Sequence, residues 1–174
     1  HPSAAVKLLC VRRAADGGSS LLKDALVTLL ASASENEFVS EIIRALGSYK
    51  DAGLTDILLP YLKHEDYAVV AWVMRVLAGM HDLKVRDALM VMVSESREVK
   101  NVDAGCDLRT ALAVETIAQF PDDTTANFLI GFIHHANPSF RRVVISTLAA
   151  IGEVILPALE RCLDTGDKDE KIMS

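Results

Sequence analysis

Apolar residues recur at helical spacing along most of this chain, and the clearest example runs from Phe38 to Leu62. The first half of that stretch has its apolar side chains at Phe38, Ile42, Ile43, Leu46 and Tyr49, and the second half has them at Leu54, Ile57, Leu58, Tyr61 and Leu62. This spacing predicts two short helices, each with one apolar face, joined by a tight turn. One pair of helices cannot bury both faces, so we expect the pair to pack against similar neighbours.

The apolar pattern repeats at a fixed interval. Leu46 aligns with Leu77, and Ile117 aligns with Leu148 at the same interval, which gives a period of 31. The gap from Leu77 to Ile117 is longer, at 40, and equals one period with a nine-residue insertion. A period in this range is typical of proteins in which helix pairs stack, each pair covering the apolar face of the next.

The repeat organises residues 1–174 into one predicted all-α domain. We expect a right-handed α-solenoid of about five helix pairs. The predicted units cover residues 3–31, 34–64, 66–94, 107–135 and 137–164. The polar insertion at 95–105 is expected to form either a plain surface loop or an added binding element. Residues 167–174 have the pattern of the start of a further unit, from which we expect the parent protein to continue.

Some helix boundaries are marked by residues that favour them. Asp66 and Asn137 stand where the first helices of the third and fifth units begin, and Pro138 follows Asn137 at the first helical position. Both residues are therefore predicted N-caps. In the first unit, Ser19 or Ser20 is the predicted cap of the second helix.

Composition and charge narrow the range of functions. With a net charge of −6 and a pI near 5.3, the chain is not expected to be a general nucleic-acid binder, because such proteins cluster Lys and Arg against phosphates. No run of 18 apolar residues exists, so we predict no membrane-spanning segment. The three cysteines are widely separated and follow no ligand spacing, which favours a reducing, cytoplasmic compartment and predicts neither bound metal nor a cofactor.

The fifth unit carries a family resemblance. Its sequence, NPSFRRVVISTLAAIGEVILPALERCLDTGD, resembles the short HEAT-like repeat found in phycobilin lyase subunits and in many bacterial and archaeal proteins. Asn137-Pro138, Phe140-Arg141, Leu148 and Ile151-Gly152 occupy the slots of that repeat. The resemblance implies stacked helix pairs whose inner surface holds other proteins and, less often, nucleic acid. The other units depart from the family by placing Val39, Val70 and Thr110 where it has Arg, and Gln119 where it has Gly.

The predicted second helices carry two rows of residues that are candidates for partner binding. The predicted core leucines of these helices are Leu26, Leu58, Leu89 and Leu129. Two residues before them stand Asp24, Asp56, Asp87 and Asn127, which we call the acid row. One residue after the same leucines stand Val27, Leu59, Met90 and Ile130, which we call the apolar row. Positions three apart are neighbours on a helix, so the two rows predict a groove for a basic, amphipathic protein or peptide segment. Alternatively, the acids are favoured at these positions by the helix dipole, and the apolar row packs one unit against the next.

Other residues give weaker functional hypotheses. Arg13, Arg44 and Arg75 occupy equivalent positions on the first helices, where they form either an anion-binding surface or a solvated face in which Glu41 pairs with Arg44. No catalytic constellation is predicted. We therefore expect a non-catalytic protein-binding scaffold. The alternative is an accessory module of an enzyme, resembling phycobilin lyase subunits or a chaperone, that brings a partner or a tetrapyrrole to its inner face.

Overall fold

The computed structural model describes residues 4–16, 19–96 and 106–161, and the regular elements in these ranges are all helical. The α-helices are α1 Ala4–Asp16, α2 Ser20–Ser32, α3 Asn36–Leu46, α4 Leu54–Leu58, α5 Tyr67–Ala78, α6 Leu83–Ser94, α7 Leu108–Ile117, α8 Asp123–Ile130, α9 Pro138–Ile151 and α10 at 156–161. Short 3₁₀ helices cover Gly47–Tyr49, Leu59–Lys63 and Gly152–Ile155. The predicted all-α class is confirmed. None of the described helices has the length and apolar character needed to cross a membrane.

The chain divides into two compact units, His1–Val85 and Arg86–Ser174. In the first unit α1 packs on α3, α3 packs on α5, and α2 lies against α3. In the second unit α9 packs on both α7 and α8. The first helices of neighbouring pairs are therefore in direct contact within each unit.

The aligned apolar positions form the core. Leu46, Leu77 and Ile117 are fully buried, and Leu148 is nearly so. The end of α3 also approaches α5 closely, because a Cβ atom added at Gly47 would lie 2.7 Å from Cγ2 of Val76. Only glycine fits this contact without movement of the valine.

Two predicted N-caps are confirmed. The Asp66 carboxylate accepts hydrogen bonds from the N–H groups of Ala68 and Val69, and the Asn137 side-chain oxygen accepts them from Ser139 and Phe140. At the start of α2, Ser19 holds the cap position, but its side chain makes no capping hydrogen bond.

Several predicted second helices are shorter than expected. The prediction of one helix from Leu54 to Leu62 is wrong in its second half, because α4 ends at Leu58 and a 3₁₀ helix follows. Pro60 has no N–H to donate to the Asp56 carbonyl, so the α-helical pattern cannot continue there. In the fourth predicted unit, which extends to residue 135, α8 already ends at Ile130, before Gly131.

The turns after α3, α5 and α9 each contain a residue with a positive φ angle. Lys50 and His81 have φ angles of 46° and 52°, and Gly152 has a φ of 74°. The interval from Lys50 to His81 is one period, and so is the interval from Pro121 to Gly152. Pro121 lies at the equivalent sequence position of the fourth helix pair, 40 residues after His81. It cannot adopt a positive φ, because its ring fixes the angle at about −65°. Lys50 and His81 thus share a positive φ one period apart, whereas Gly152 has a ψ of −139° against 39° at Lys50 and a different backbone conformation.

Polar contacts join neighbouring helix pairs in His1–Val85. Arg12 donates to Glu41 across 29 residues of sequence, and Asn36 donates to Asp66 across 30. The hydroxyl groups of Tyr49 and Tyr61 donate to carbonyls of the preceding pair, 35 and 31 residues earlier. Each of these contacts joins residues separated by about one predicted period of 31 residues.

Most of the predicted insertion loop, at residues 97–105, and the predicted further unit at 167–174 lie outside the described residues.

Candidate functional site

The four predicted second helices α2, α4, α6 and α8 share one pattern of solvent exposure. Their core leucines, Leu26, Leu58, Leu89 and Leu129, are buried. The acid row is exposed at all four positions, and the apolar row is half-buried at all four. The side chains of Asp24, Asp56 and Asp87 expose 71%, 70% and 62% of their surface, so a partner can reach each carboxylate.

The acids do not stand alone, because each lies beside a basic side chain. On α2, the ammonium group of Lys23 lies 4.0 Å from the Asp24 carboxylate and makes a closer ion pair with Asp51. The Asp51 carboxylate raises the pKa of Lys23, and the pKa of Asp51 is lowered in return. Of the three acids, Asp24 therefore has the weakest ion pair with its basic neighbour.

Asp56 on α4 pairs with Lys84 on α6. The Lys84 ammonium group donates to both carboxylate oxygens, at 2.9 and 3.2 Å, and this contact raises the pKa of Lys84. Both side chains are mostly exposed to water. Exposed ion pairs of this kind contribute little to stability, so the pair can open at small cost.

Asp87 is held more firmly, because Arg86 makes two hydrogen bonds to it and has a largely buried side chain. The Arg86 guanidinium donates to Asp87 at 2.8 and 2.9 Å and to Asp122, the N-cap of α8. The Arg86 side chain is largely buried. Partial burial raises the pKa of Asp122, but hydrogen bonds from the Thr125 N–H and from Arg86 outweigh this effect, so the pKa lies below its usual value.

The basic neighbours Lys23, Lys84 and Arg86 were not part of the predicted site. Two of their ion pairs share a sequence signal, since Lys23 with Asp51 and Lys84 with Asp56 are each 28 residues apart, three short of the period. Residues at that separation lie on neighbouring second helices or directly before them, within reach of one another. In His1–Val85 the predicted acid row is thus a surface of alternating charges.

The arginines of the first helices are partly engaged within the protein. Arg44 pairs with Glu41 at 2.6 Å, as predicted, and Arg12 donates to the same carboxylate. Hydrogen bonds from Arg12 and Arg44 hold the pKa of Glu41 below its usual value. The Arg75 guanidinium lies 4.7 Å from the ring centre of Trp72, a cation–π contact.

Within the described residues, no group of three or more His, Cys, Asp or Glu side chains has an arrangement that could hold a metal ion. His134 and His135 are adjacent in sequence, and His135 uses Nδ1 to accept a hydrogen bond from the backbone of Asn137. No family model matches this chain, and no curated protein sequence matches it either.

Proposed function

We propose that the chain is a non-catalytic protein-binding module in which HEAT-like helix pairs stack as an α-solenoid. Three observations support the repeat: the regular spacing of the buried core positions, the positive φ angles at Lys50 and His81, and the packing of α1 on α3 and α3 on α5. Surfaces made by stacked helix pairs typically bind other proteins.

The partner is a protein or peptide segment that is basic and amphipathic, and it binds to the second helices. The exposed carboxylates of the acid row, each beside a half-buried residue of the apolar row, are the observation that carries this proposal. A Lys or Arg of the partner would meet the acid while an apolar side chain covers its neighbour.

Asp56 is the acid best suited to exchange its internal ion pair for one with a partner. Lys84 and Asp56 are both mostly exposed, so separating them costs little. Arg86, in contrast, is largely buried and bridges Asp87 to the cap of α8. We therefore expect Asp56 to contribute more to binding than Asp87.

The proposal is tested by capturing a partner from the native host and titrating it against charge variants. Asp56→Lys combined with Asp87→Lys should weaken binding strongly, and the wild-type affinity should fall with added salt, because the attraction is between exposed charges. Lys84→Ala should strengthen binding, since it releases Asp56 from its internal pair.

The matched control is Arg44→Glu combined with Arg75→Glu, which reverses two charges on the first helices. This variant should bind nearly as well as the wild type. Loss of binding in the control, with normal binding in the aspartate variant, would place the partner on the first helices and overturn the proposal. Circular dichroism spectra of all variants should show unchanged helical content.

A further inference from the structure

An open apolar groove lies in His1–Val85, between α1 and α2 and beside the start of α3. Its volume is about 490 Å³, which is within the range of ligand-binding sites. One wall is formed by Val6, Cys10 and Ala14 of α1. The groove lies outside the acid row and the apolar row, and the proposed partner surface does not use it.

The opposite wall of the groove has the side-chain spacing of a helix-binding surface. Leu22, Ala25, Leu26 and Leu29 of α2 line it at intervals of three and four residues. The small side chains of Ala14 and Ala25 leave depth between the two helices. Parallel rows of aliphatic side chains with a gap between them accept the apolar face of a third helix.

The polar rim at one end of the groove is acidic overall. Lys7 and Glu35 line the groove, and a small cavity lined by Lys7, Glu35 and Glu37 adjoins it. None of these three side chains forms an ion pair with another residue in the part of the chain that the structure describes. Arg12 is near enough for its charge to act on Glu37, but its guanidinium is already paired with Glu41. The two rim carboxylates therefore outnumber the Lys7 ammonium group, and the rim favours a cation.

We infer that this groove binds a basic amphipathic helix of a partner protein, with aliphatic side chains between α1 and α2 and a Lys or Arg against Glu35 and Glu37. The inference rests on the proposed protein-binding function and adds a second contact region to it. An apolar carboxylic acid fits less well, because Glu35 and Glu37 would repel its head group. A helix also matches the row spacing of α2, which a small ligand does not require.

The test uses a dye-labelled synthetic helix of about 18 residues, long enough to be helical, with Leu along one face and Lys on the other. A matched peptide carries Glu in place of every Lys. Fluorescence anisotropy with the whole chain should show the Leu/Lys peptide binding at least about tenfold more tightly than the Leu/Glu peptide. Glu35→Gln combined with Glu37→Gln should reduce this preference and flatten the dependence on salt.

A pair of variants on α2 locates the binding site. Ala25→Leu fills the groove and should weaken binding of the Leu/Lys peptide by at least about tenfold. Ala31→Leu makes the same change at an exposed position of α2 that does not line the groove, and its affinity should match the wild type. Both alanines are exposed, so both variants should fold.

Protection of Cys10 gives a second readout that needs no change in the groove. In a Cys106→Ser, Cys162→Ser background, saturating Leu/Lys peptide should slow the alkylation of Cys10 by iodoacetamide, because the thiol lines the groove. Equal affinity for the two peptides, an unaffected Ala25→Leu variant or an unprotected Cys10 would each overturn the inference.

Two further outcomes separate this inference from its alternatives. A dimer of the free chain that Ala25→Leu dissociates, seen by sedimentation, would mean that a second copy fills the groove, and would overturn it. Asp56→Lys with Asp87→Lys should not change the protection of Cys10 by the peptide, because neither residue lines the groove. If that variant loses the captured partner while the peptide leaves Cys10 of the wild type unprotected, the groove inference falls and the proposed function stands.

Discussion

The turns that lead into α5 and α9 use the same hydrogen-bond pattern with different cap residues. Each turn contains an aromatic residue, a histidine three positions later and an N-cap two positions after that; these are Tyr61, His64 and Asp66 in the first turn and Phe132, His135 and Asn137 in the second. The two sets are separated by one period of 31 plus the longer gap of 40. They are equivalent positions of the predicted repeat.

In both turns the histidine accepts a hydrogen bond from the backbone of the cap. The N–H of Asp66 donates to Nδ1 of His64 at 3.1 Å, and the N–H of Asn137 donates to Nδ1 of His135 at 3.2 Å. The His64 ring stacks on Tyr61 with an angle of 14° between the planes. His135 instead meets its aromatic neighbours edge to face, at centroid distances of 6.0 and 5.3 Å.

Burial explains why one cap is an acid and the other an amide. Asn137 is fully buried, whereas Asp66 is partly exposed and also accepts a hydrogen bond from Asn36. A carboxylate in the position of Asn137 would lose its hydration, and a neutral amide avoids that cost while keeping the same two backbone contacts. The backbone therefore fixes the position of the cap, and solvent access selects its charge.

The largest expected effect comes from removing the two caps. Asn137→Ala leaves the N–H groups of Ser139 and Phe140 without their acceptor in a buried turn, and should lower the free energy of unfolding by about 1–3 kcal/mol. Asp66→Ala should cost less, because its bonds to Ala68 and Val69 are exposed and part-buried, whereas the bond of Asn137 to Phe140 is buried. Urea unfolding followed by circular dichroism gives both values.

Asn127→Ala is the matched control for the cap experiment, because it removes an exposed side chain of the same type from the same compact unit, Arg86–Ser174. Its stability should equal that of the wild type. Equal losses in Asn137→Ala and Asp66→Ala would show that burial does not distinguish the two turns.

A smaller effect is expected from removing the histidine acceptors. His64→Phe and His135→Phe keep a ring in place but abolish Nδ1, so each should lower the free energy of unfolding by about 0.5–1.5 kcal/mol, the net value of one hydrogen bond. His135→Phe should cost more, because it frees the N–H of fully buried Asn137, whereas water can reach the N–H of partly exposed Asp66. Urea unfolding in which His64→Phe lost as much stability as His135→Phe would contradict this.

The smallest effect is a dependence on pH that only the first turn should show. Hydrogen bonds from the N–H groups of Ala68 and Val69 hold the pKa of Asp66 below its usual value. The carboxylate therefore stabilises the folded state above the ordinary aspartate pKa of about 3.9, and this contribution is lost as the pH falls through the lower folded pKa.

Asp66→Asn isolates that contribution, because it makes the first turn resemble the second. Thermal melts of the wild type and this variant should differ near neutral pH and converge in acid. A difference that stays constant from about pH 7 to about pH 3 would show that the charge of Asp66 does not matter for stability.

The sequence predicts the core and the caps because both follow from local pattern. Leu46 and Leu77 are buried at the predicted positions, and Asp66 and Asn137 cap their helices as expected. These features depend on spacing along one helix or on a residue next to a helix start. The solvent exposure of the acid row was also predictable for the same reason.

Other features depend on contacts that local pattern does not contain. The ion pair of Asp56 with Lys84 depends on how neighbouring second helices are rotated, which the spacing of apolar residues leaves open. The positive φ at Lys50 has no sequence signal, because lysine rarely adopts that conformation. The apolar groove lined by Ala25 was missed because it depends on the separation of α1 and α2, and the sequence pattern describes each helix alone.

The uniform span of the polar contacts in His1–Val85 has a consequence for the order of folding. Bonds between neighbouring helix pairs, such as those of Arg12, Asn36 and Tyr49, close chain segments of 29 to 35 residues. The entropy of closing a segment varies with the logarithm of its length, so the cost differs by only about 0.2 kcal/mol across this range. Each helix pair can therefore join its neighbour at nearly the same entropic cost, and no step has to wait for residues from a distant part of the chain. If the helix pairs stack as proposed, folding of His1–Val85 should start at any two adjoining pairs and spread outwards at a rate typical of proteins with short-range contacts.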